Sequence, residues 1–165
     1  MKLVEGEITI DDLDEFLSRV GAIDDESNCA IQAFDARFVA GRDHLESAVE
    51  HANRAFDRGE NVARDPAVEI LLYAAGRRQI NQALEMGVSE GEQEVIVVVD
   101  GEENGNERAA VEAVSKLLES ADTLGNPNHE TLFDFFDISE RELDATSTNL
   151  SDLVCERVAL LEVEK

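Results

Sequence analysis

Glu94-Val95-Ile96-Val97-Val98-Val99 (EVIVVV) is the stretch on which the fold turns. Five consecutive apolar residues, four of them valine, run up to Asp100 and Gly101. A run this short and this β-branched, closed by a turn residue, predicts a strand buried on both faces at the centre of a sheet. Its candidate neighbours lie toward the N-terminus. Lys2–Ile10 alternates loosely and reads as one strand, and Cys29–Phe34 reads as another.

Most of the remaining chain carries helical periodicity. Thr9 is placed to cap a helix over Asp11–Val20, with Leu13, Phe16, Leu17 and Val20 on one face. Arg42–Arg58 is the clearest amphipathic helix, turning Leu45, Ala48, Val49, Ala52 and Phe56 inward. Asp65 and Pro66 mark the cap and first residue of a helix to Ala75. Gly76 breaks it, and a second helix is expected from Arg77 to Met86, closed by Gly87. After the valine strand, a loop through Gly101–Asn106 leads to a helix over Glu107–Ser120. Gly125-Asn126-Pro127 interrupts the chain, and short helices are expected at Thr131–Phe136, Ser139–Ala145 and Leu150–Leu161. Few strands among many helices predict an α/β fold of the mixed α+β kind: a small central sheet flanked by several helices, in a single domain over residues 1–165.

Charge sets the chemical context. The chain holds 38 acidic residues against 14 basic ones, a formal net charge of −24, with an ordinary 43% hydrophobic content. Only Lys2, Lys116 and Lys165 are lysines. A normal core under an acidic, lysine-poor surface fits a protein that works in concentrated salt, where screening removes most self-repulsion. The expected source is a halophilic archaeon, with an acidic mesophile as the alternative. Cys29 and Cys155 lie far apart with no metal spacing and read as small core hydrophobes. No apolar run approaches membrane-spanning length and no basic-then-apolar signal pattern opens the chain, so a cytoplasmic protein with no membrane partner is expected.

The basic residues are not spread evenly. Seven of the fourteen (Arg37, Arg42, Arg54, Arg58, Arg64, Arg77, Arg78) fall within residues 37–78, matched by seven acids, so this window is neutral in an acidic chain. A surface that escapes the general repulsion is a candidate contact face for an anionic partner. Pairing on the helix, as between Glu50 and Arg54, is the ordinary alternative. Within Val68–Ile80 (VEILLYAAGRRQI) an apolar run stops at Gly76 and gives way at once to Arg77, Arg78 and Gln79. That pair is set beside a glycine and tethered to a core segment.

Several kinds of chemistry find no support. Gly101–Gly105 has neither the spacing nor the lysine of a phosphate-cradling loop. His44 and His51 stand seven apart with no Glu or Cys at ligand spacing, and read as surface or boundary histidines. No Ser or Cys nucleophile with a placed base can be picked out. Phe133, Phe135 and Phe136 stand between Asp134 and Asp137, which favours packing or a protein contact over nucleic-acid stacking. A non-enzyme without cofactor or metal is expected.

Ala30–Arg37 (AIQAFDAR), Val39–Leu45 (VAGRDHL), Val68–Ile80 and Ala83–Gly91 (ALEMGVSEG) occur in one order ahead of the valine strand. In these blocks the chain resembles the Cgi-type subunits of the KEOPS/EKC complex, the family of the PRPK-binding protein TPRKB. The resemblance covers about residues 28–120, and the Glu-Ile-Leu-Leu…Arg-Gln-Ile core is its most specific part. It implies a mixed α/β fold and a non-catalytic role. KEOPS installs threonylcarbamoyl groups on an adenosine of tRNAs that read codons beginning with A, and a separate metalloprotein subunit performs the transfer. The implied partners are the Bud/PRPK-type kinase/ATPase subunit, through it the rest of KEOPS, and the single-stranded 3′ CCA end of tRNA.

By position, the resemblance implies an RNA-binding site at Gly76, Arg77, Arg78, Gln79 and Ile80. Arg42 and His44 of the second block are expected to complete it. Arg78-Gln79-Ile80 fits the family pattern directly, whereas Arg77 falls where the family varies. Residue chemistry is compatible: Arg78 suits a phosphate or a base face, Gln79 a base edge, and Ile80 an apolar shelf or a place in the core. A helix beginning at Arg77 would add free backbone N–H groups for a phosphate. The competing reading has Arg77 and Arg78 capping carbonyls and pairing with Glu69 or Glu85. Three functions follow: a tRNA-recruiting, kinase-binding subunit; a purely protein-binding adaptor of the kinase; and an enzyme taking an anionic small molecule at Arg77–Arg78. The kinase-docking surface is expected on helices within residues 66–88 or 131–161.

Overall fold

The computed structural model of the chain describes residues 1–101 and 104–164; residues 102 and 103 of the expected Gly101–Asn106 loop, and Lys165, lie outside them. The valine run forms the interior strand expected of it. In chain order β1 is Lys2–Ile10, β2 Ala30–Asp35, β3 Gly91–Asp100 and β4 Glu119–Ser120. They make a four-stranded sheet in the order β2-β3-β1-β4, each neighbouring pair antiparallel. Val95–Val99 are at most 1% exposed, as residues covered on both faces must be.

Eight α-helices accompany the sheet among the described residues: α1 (Leu13–Ser27), α2 (Arg42–Arg58), α3 (Pro66–Ala75), α4 (Ile80–Ala83), α5 (Glu107–Ser115), α6 (His129–Phe136), α7 (Glu140–Thr146) and α8 (Leu150–Glu164). The fold is mixed α+β. The chain divides into two units, Met1–Ala36 with Gly87–Thr123, and Arg37–Met86 with Leu124–Lys165.

The first unit holds the sheet with α1 and α5. Phe16 and Val20 of α1 and Ala110 and Val114 of α5 pack with Val4, Ile10, Ile31, Ala33, Val97 and Val99 into one apolar cluster. Cys29 belongs to this core. Asp12, not Thr9, caps α1: its carboxylate accepts from the Glu15 N–H at 3.2 Å. The expected helix over Glu107–Ser120 stops at Ser115. Tighter bonds from Leu117 to Val114 (2.9 Å) and from Leu118 to Ser115 close it, which frees Glu119 and Ser120 to pair with Glu7 and Gly6 of β1. Gly6 permits that approach, since a Cβ there would lie 2.6 Å from the Glu119 carbonyl oxygen.

The second unit is helical. α2 buries Leu45, Ala48, Val49, Ala52 and Ala55 and ends at the left-handed Gly59. α3 starts as its sequence dictates, with Pro66 in the first turn and the Asp65 carboxylate accepting from the Ala67 N–H at 2.9 Å. Asn128, Ser139 and Asn149 each cap the helix that follows, through side-chain oxygens accepting at 2.8–3.0 Å. These caps start α6 at His129, α7 at Glu140 and α8 at Leu150.

A candidate nucleic-acid interface at the end of helix α3

α3 is buried on every side, with Glu69 its one charged residue, and Ile70–Ala75 are all at most 2% exposed. Its end is fixed by Gly76, whose φ of +62° is the left-handed conformation that L side chains resist. The Gly76 N–H donates to the Tyr73 carbonyl and the Arg77 N–H to the Leu72 carbonyl, both at 3.0 Å, satisfying the last turn. Gly76 also lies against α8: a Cβ would come 3.2 Å from the Arg157 carbonyl oxygen. The helix therefore stops here for two independent reasons.

Beyond Gly76 the two arginines part. Arg77 is half-buried, its guanidinium 4.9 Å from the centre of the Phe135 ring and donating to the Phe135 carbonyl. Arg78, Gln79 and Ile80 are exposed. The expected helix from Arg77 to Met86 is not formed. Arg77 spends its N–H on closing α3, and Gln79 is extended (φ −97°, ψ 124°), so helix begins only at Ile80. α4 lasts four residues before a 3-10 turn at Leu84–Met86. The Arg77 N–H expected to be free for a phosphate is thus spent on the end of α3. Ile80, expected in the core or on a shelf, is 46% exposed, and Leu84, one helical turn on, is 57% exposed.

The turn is supported by a carbonyl clamp at the end of α6. While Arg77 holds the Phe135 carbonyl, Arg157 of α8 donates from Nε to the Phe136 carbonyl and from Nη2 to the Asp137 carbonyl, both at 3.2 Å. The Glu142 carboxylate accepts from the same Nη2 at 2.9 and 3.0 Å. Two guanidiniums at a helix C-terminus suit both its orphan carbonyls and its partial negative charge. Phe135 and Phe136 are buried and meet edge to face at 5.0 Å, so they pack rather than offer a stacking platform.

His44 is a core residue, not the surface or boundary histidine expected, and its ring cannot reach a ligand. It is fully buried; Nδ1 accepts from the Ala40 N–H at 3.1 Å and Nε2 lies 2.7 Å from the Ala74 carbonyl, to which it donates in the neutral ring. Burial lowers its pKa to about 4, against a smaller raising effect of the Ala74 bond. The contact ties the first turn of α2 to the last turn of α3. Arg42 stands on that first turn, half exposed, with Nε 2.7 Å from Glu46. Arg54 turns to Glu162 on α8, at 3.5 Å, rather than forming the Glu50 pair that helical spacing offered. Glu69 is buried, and its carboxylate accepts from the Val62 and Ala63 N–H groups, bracing the loop before α3.

Sequence reasoning missed Arg157 and the role of Phe135. The signal for Arg157 was present: it sits between Leu153 and Leu161 at successive four-residue steps, a lone guanidinium on the buried stripe of α8. A surface hollow of about 330 Å³ lies elsewhere, in the sheet unit beside Ile10, Asp12, Phe16, Arg19 and Lys116, and none of the expected site residues lines it. Among the described residues no three His, Cys, Asp or Glu side chains group as metal ligands, and no helix is long and apolar enough to cross a membrane.

Fold and site together define a mixed α+β protein whose helical unit presents a fixed, solvent-facing turn. A family model described as kinase binding protein CGI-121 matches residues 9–162, and the chain belongs to that family. The match extends past the blocks that carried the resemblance, taking in α1 and the helices α6 to α8. No curated protein matches the chain.

Proposed function

We propose that this chain is the Cgi-type subunit of a KEOPS tRNA-modifying assembly, folded as a single domain and working in the cytoplasm of a salt-rich cell. It binds the small kinase/ATPase subunit, as its family description supports, and recruits tRNA through the single-stranded 3′ CCA end. Arg78 pairs with a phosphate or covers a base, Gln79 hydrogen-bonds a base edge, and Ile80 with Leu84 forms the apolar shelf. Arg42 adds a second cation from α2. Arg77, Gly76 and His44 act indirectly by fixing the turn. The observation that carries this reading is the exposure of Arg78, Gln79 and Ile80 on a turn that Gly76 and Arg77 hold in place.

A chain of net charge −24 repels a whole tRNA, and reading a flexible end at a small neutral surface avoids that difficulty. At ~1 M salt the screening length is only ~3 Å, so stacking and hydrogen bonding outweigh diffuse attraction. The test is binding of the purified chain, in molar KCl, to a full tRNA and to one lacking CCA. Binding only to the first supports the proposal. Binding to neither leaves a protein-binding adaptor of the kinase without RNA contact.

A further inference from the structure

A second basic surface lies on α2. His51, Arg54 and Arg58, at helical spacings of three and four, share one face and converge on a single carboxylate, Glu162 in the last turn of α8. Glu162 lies 3.2 Å from His51 Nδ1, 3.5 Å from Arg54 Nη1 and 3.6 Å from Arg58 Nη1. Three side-chain ion pairs elsewhere are tighter: Arg19–Glu15 and Arg42–Glu46 at 2.7 Å, Arg157–Glu142 at 2.9 Å. Charge-assisted hydrogen bonds prefer about 2.7–2.9 Å, so one carboxylate is shared loosely among three partners. Arg54 is 42% exposed and Arg58 57%, whereas Glu162 is 25% exposed. Two permanent positive charges share one carboxylate here, in a window of the chain that is neutral while the rest is strongly acidic. His51 is fixed by stacking on Tyr73, ring centres 5.5 Å apart.

The position matters as much as the charge. His51 stacks on Tyr73, three residues before Gly76, so the basic face lies alongside the helix whose end carries the Arg78–Ile80 turn. We propose that the His51–Arg54–Arg58 face of α2 is a phosphate-binding surface for the RNA backbone next to the terminal nucleotides, occupied by Glu162 while RNA is absent. This rests on the reading of Arg78–Ile80 as the CCA site. Guanidinium forks suit phosphate oxygens, and Glu162, 3.2–3.6 Å from its three partners, is held loosely enough for a phosphodiester to displace it.

The experiment compares wild type, Glu162→Gln and the double variant Arg54→Gln/Arg58→Gln on a CCA trinucleotide and on an acceptor-stem minihelix ending in CCA, from 0.2 to 1 M KCl. Thermal melts verify that each variant is folded. The proposal predicts that Glu162→Gln binds the minihelix several-fold more tightly. The double variant binds it more weakly, with a log–log salt slope shallower by about 1–2, and neither variant changes trinucleotide binding. A merely structural ion pair does not pair a gain in Glu162→Gln with a loss in the double variant, both confined to the minihelix and both persisting at 1 M KCl where diffuse repulsion is screened. If wild type binds both RNAs and the variants match it on both, the phosphate surface is overturned while the CCA reading stands. If wild type binds neither, the CCA reading fails and takes this surface with it. Displacement of the minihelix from wild type but not from the double variant by polyglutamate, with no effect of Glu162→Gln on RNA, assigns the face to an acidic protein segment and overturns the proposal.

Discussion

His44 shows how one buried side chain sets a stability profile. Its pKa is lowered from 6.5 to about 4 because burial disfavours the imidazolium. The unfolded chain therefore takes up a proton near pH 6.5 that the folded chain refuses until about pH 4. The stabilisation linked to this group is full above pH 6.5 and is lost as pH falls toward 4, by at most ~3 kcal/mol. His44→Gln keeps a donor for the Ala74 carbonyl and has nothing to titrate. Urea unfolding at fixed KCl should show wild type losing stability faster than His44→Gln between pH 7 and 4.5. Parallel profiles would mean that the ring is not held neutral. Arg77 and Arg78 make the same point about single residues: adjacent in sequence, they divide between support and display because one faces Phe135 and the other faces solvent.

At the scale of elements, the α3 end is a junction of three helices, and Gly76 is where they meet. An alanine there is strained in the left-handed region and presses its Cβ on the α8 backbone. Gly76→Ala should cost about 1–2 kcal/mol, lowering Tm by roughly 3–6 °C in calorimetry. An unchanged Tm would show that α8 does not lie against the turn. What was legible in the sequence follows the same division. Asp65-Pro66 and Gly76 announce helix limits through local chemistry, and the limits of α3 agree with them; α2 was announced by its amphipathic spacing. The valine run announced an interior strand because covering both faces demands unbroken hydrophobicity. The end of α5, the missing helix at Arg77 and the burial of His44 were not legible. The first and last depend on distant partners, the β1 edge and Ala74 on α3, while the second follows from the Arg77 N–H closing α3 onto the Leu72 carbonyl. The site was legible as a segment, but which of its residues face solvent was not.

At the scale of the whole molecule, charge governs behaviour. A formal charge of −24 opposes compactness, and salt relieves it as the screening length falls from about 10 Å at 0.1 M to 3 Å at 1 M. Tm should therefore climb steadily from 0.1 to 2 M KCl in thermal melts; a flat profile would contradict a charge-limited fold. The same screening restricts how such a protein can hold RNA, since long-range attraction is lost when the protein is most stable. A few short-range contacts to a single-stranded end remain effective, and a family defined by kinase binding supplies the other attachment.

Whether Arg78 reads the CCA end is decided by a double-mutant cycle. Wild type and Arg78→Glu are each titrated with full tRNA and with tRNA lacking CCA, in molar KCl, after melts show that both proteins are equally folded. Arg78→Glu should bring binding of full tRNA down to the level of the truncated tRNA and leave the truncated tRNA unaffected, so the two changes are not additive. Equal losses on both RNAs, or a preference that survives the substitution, would contradict it.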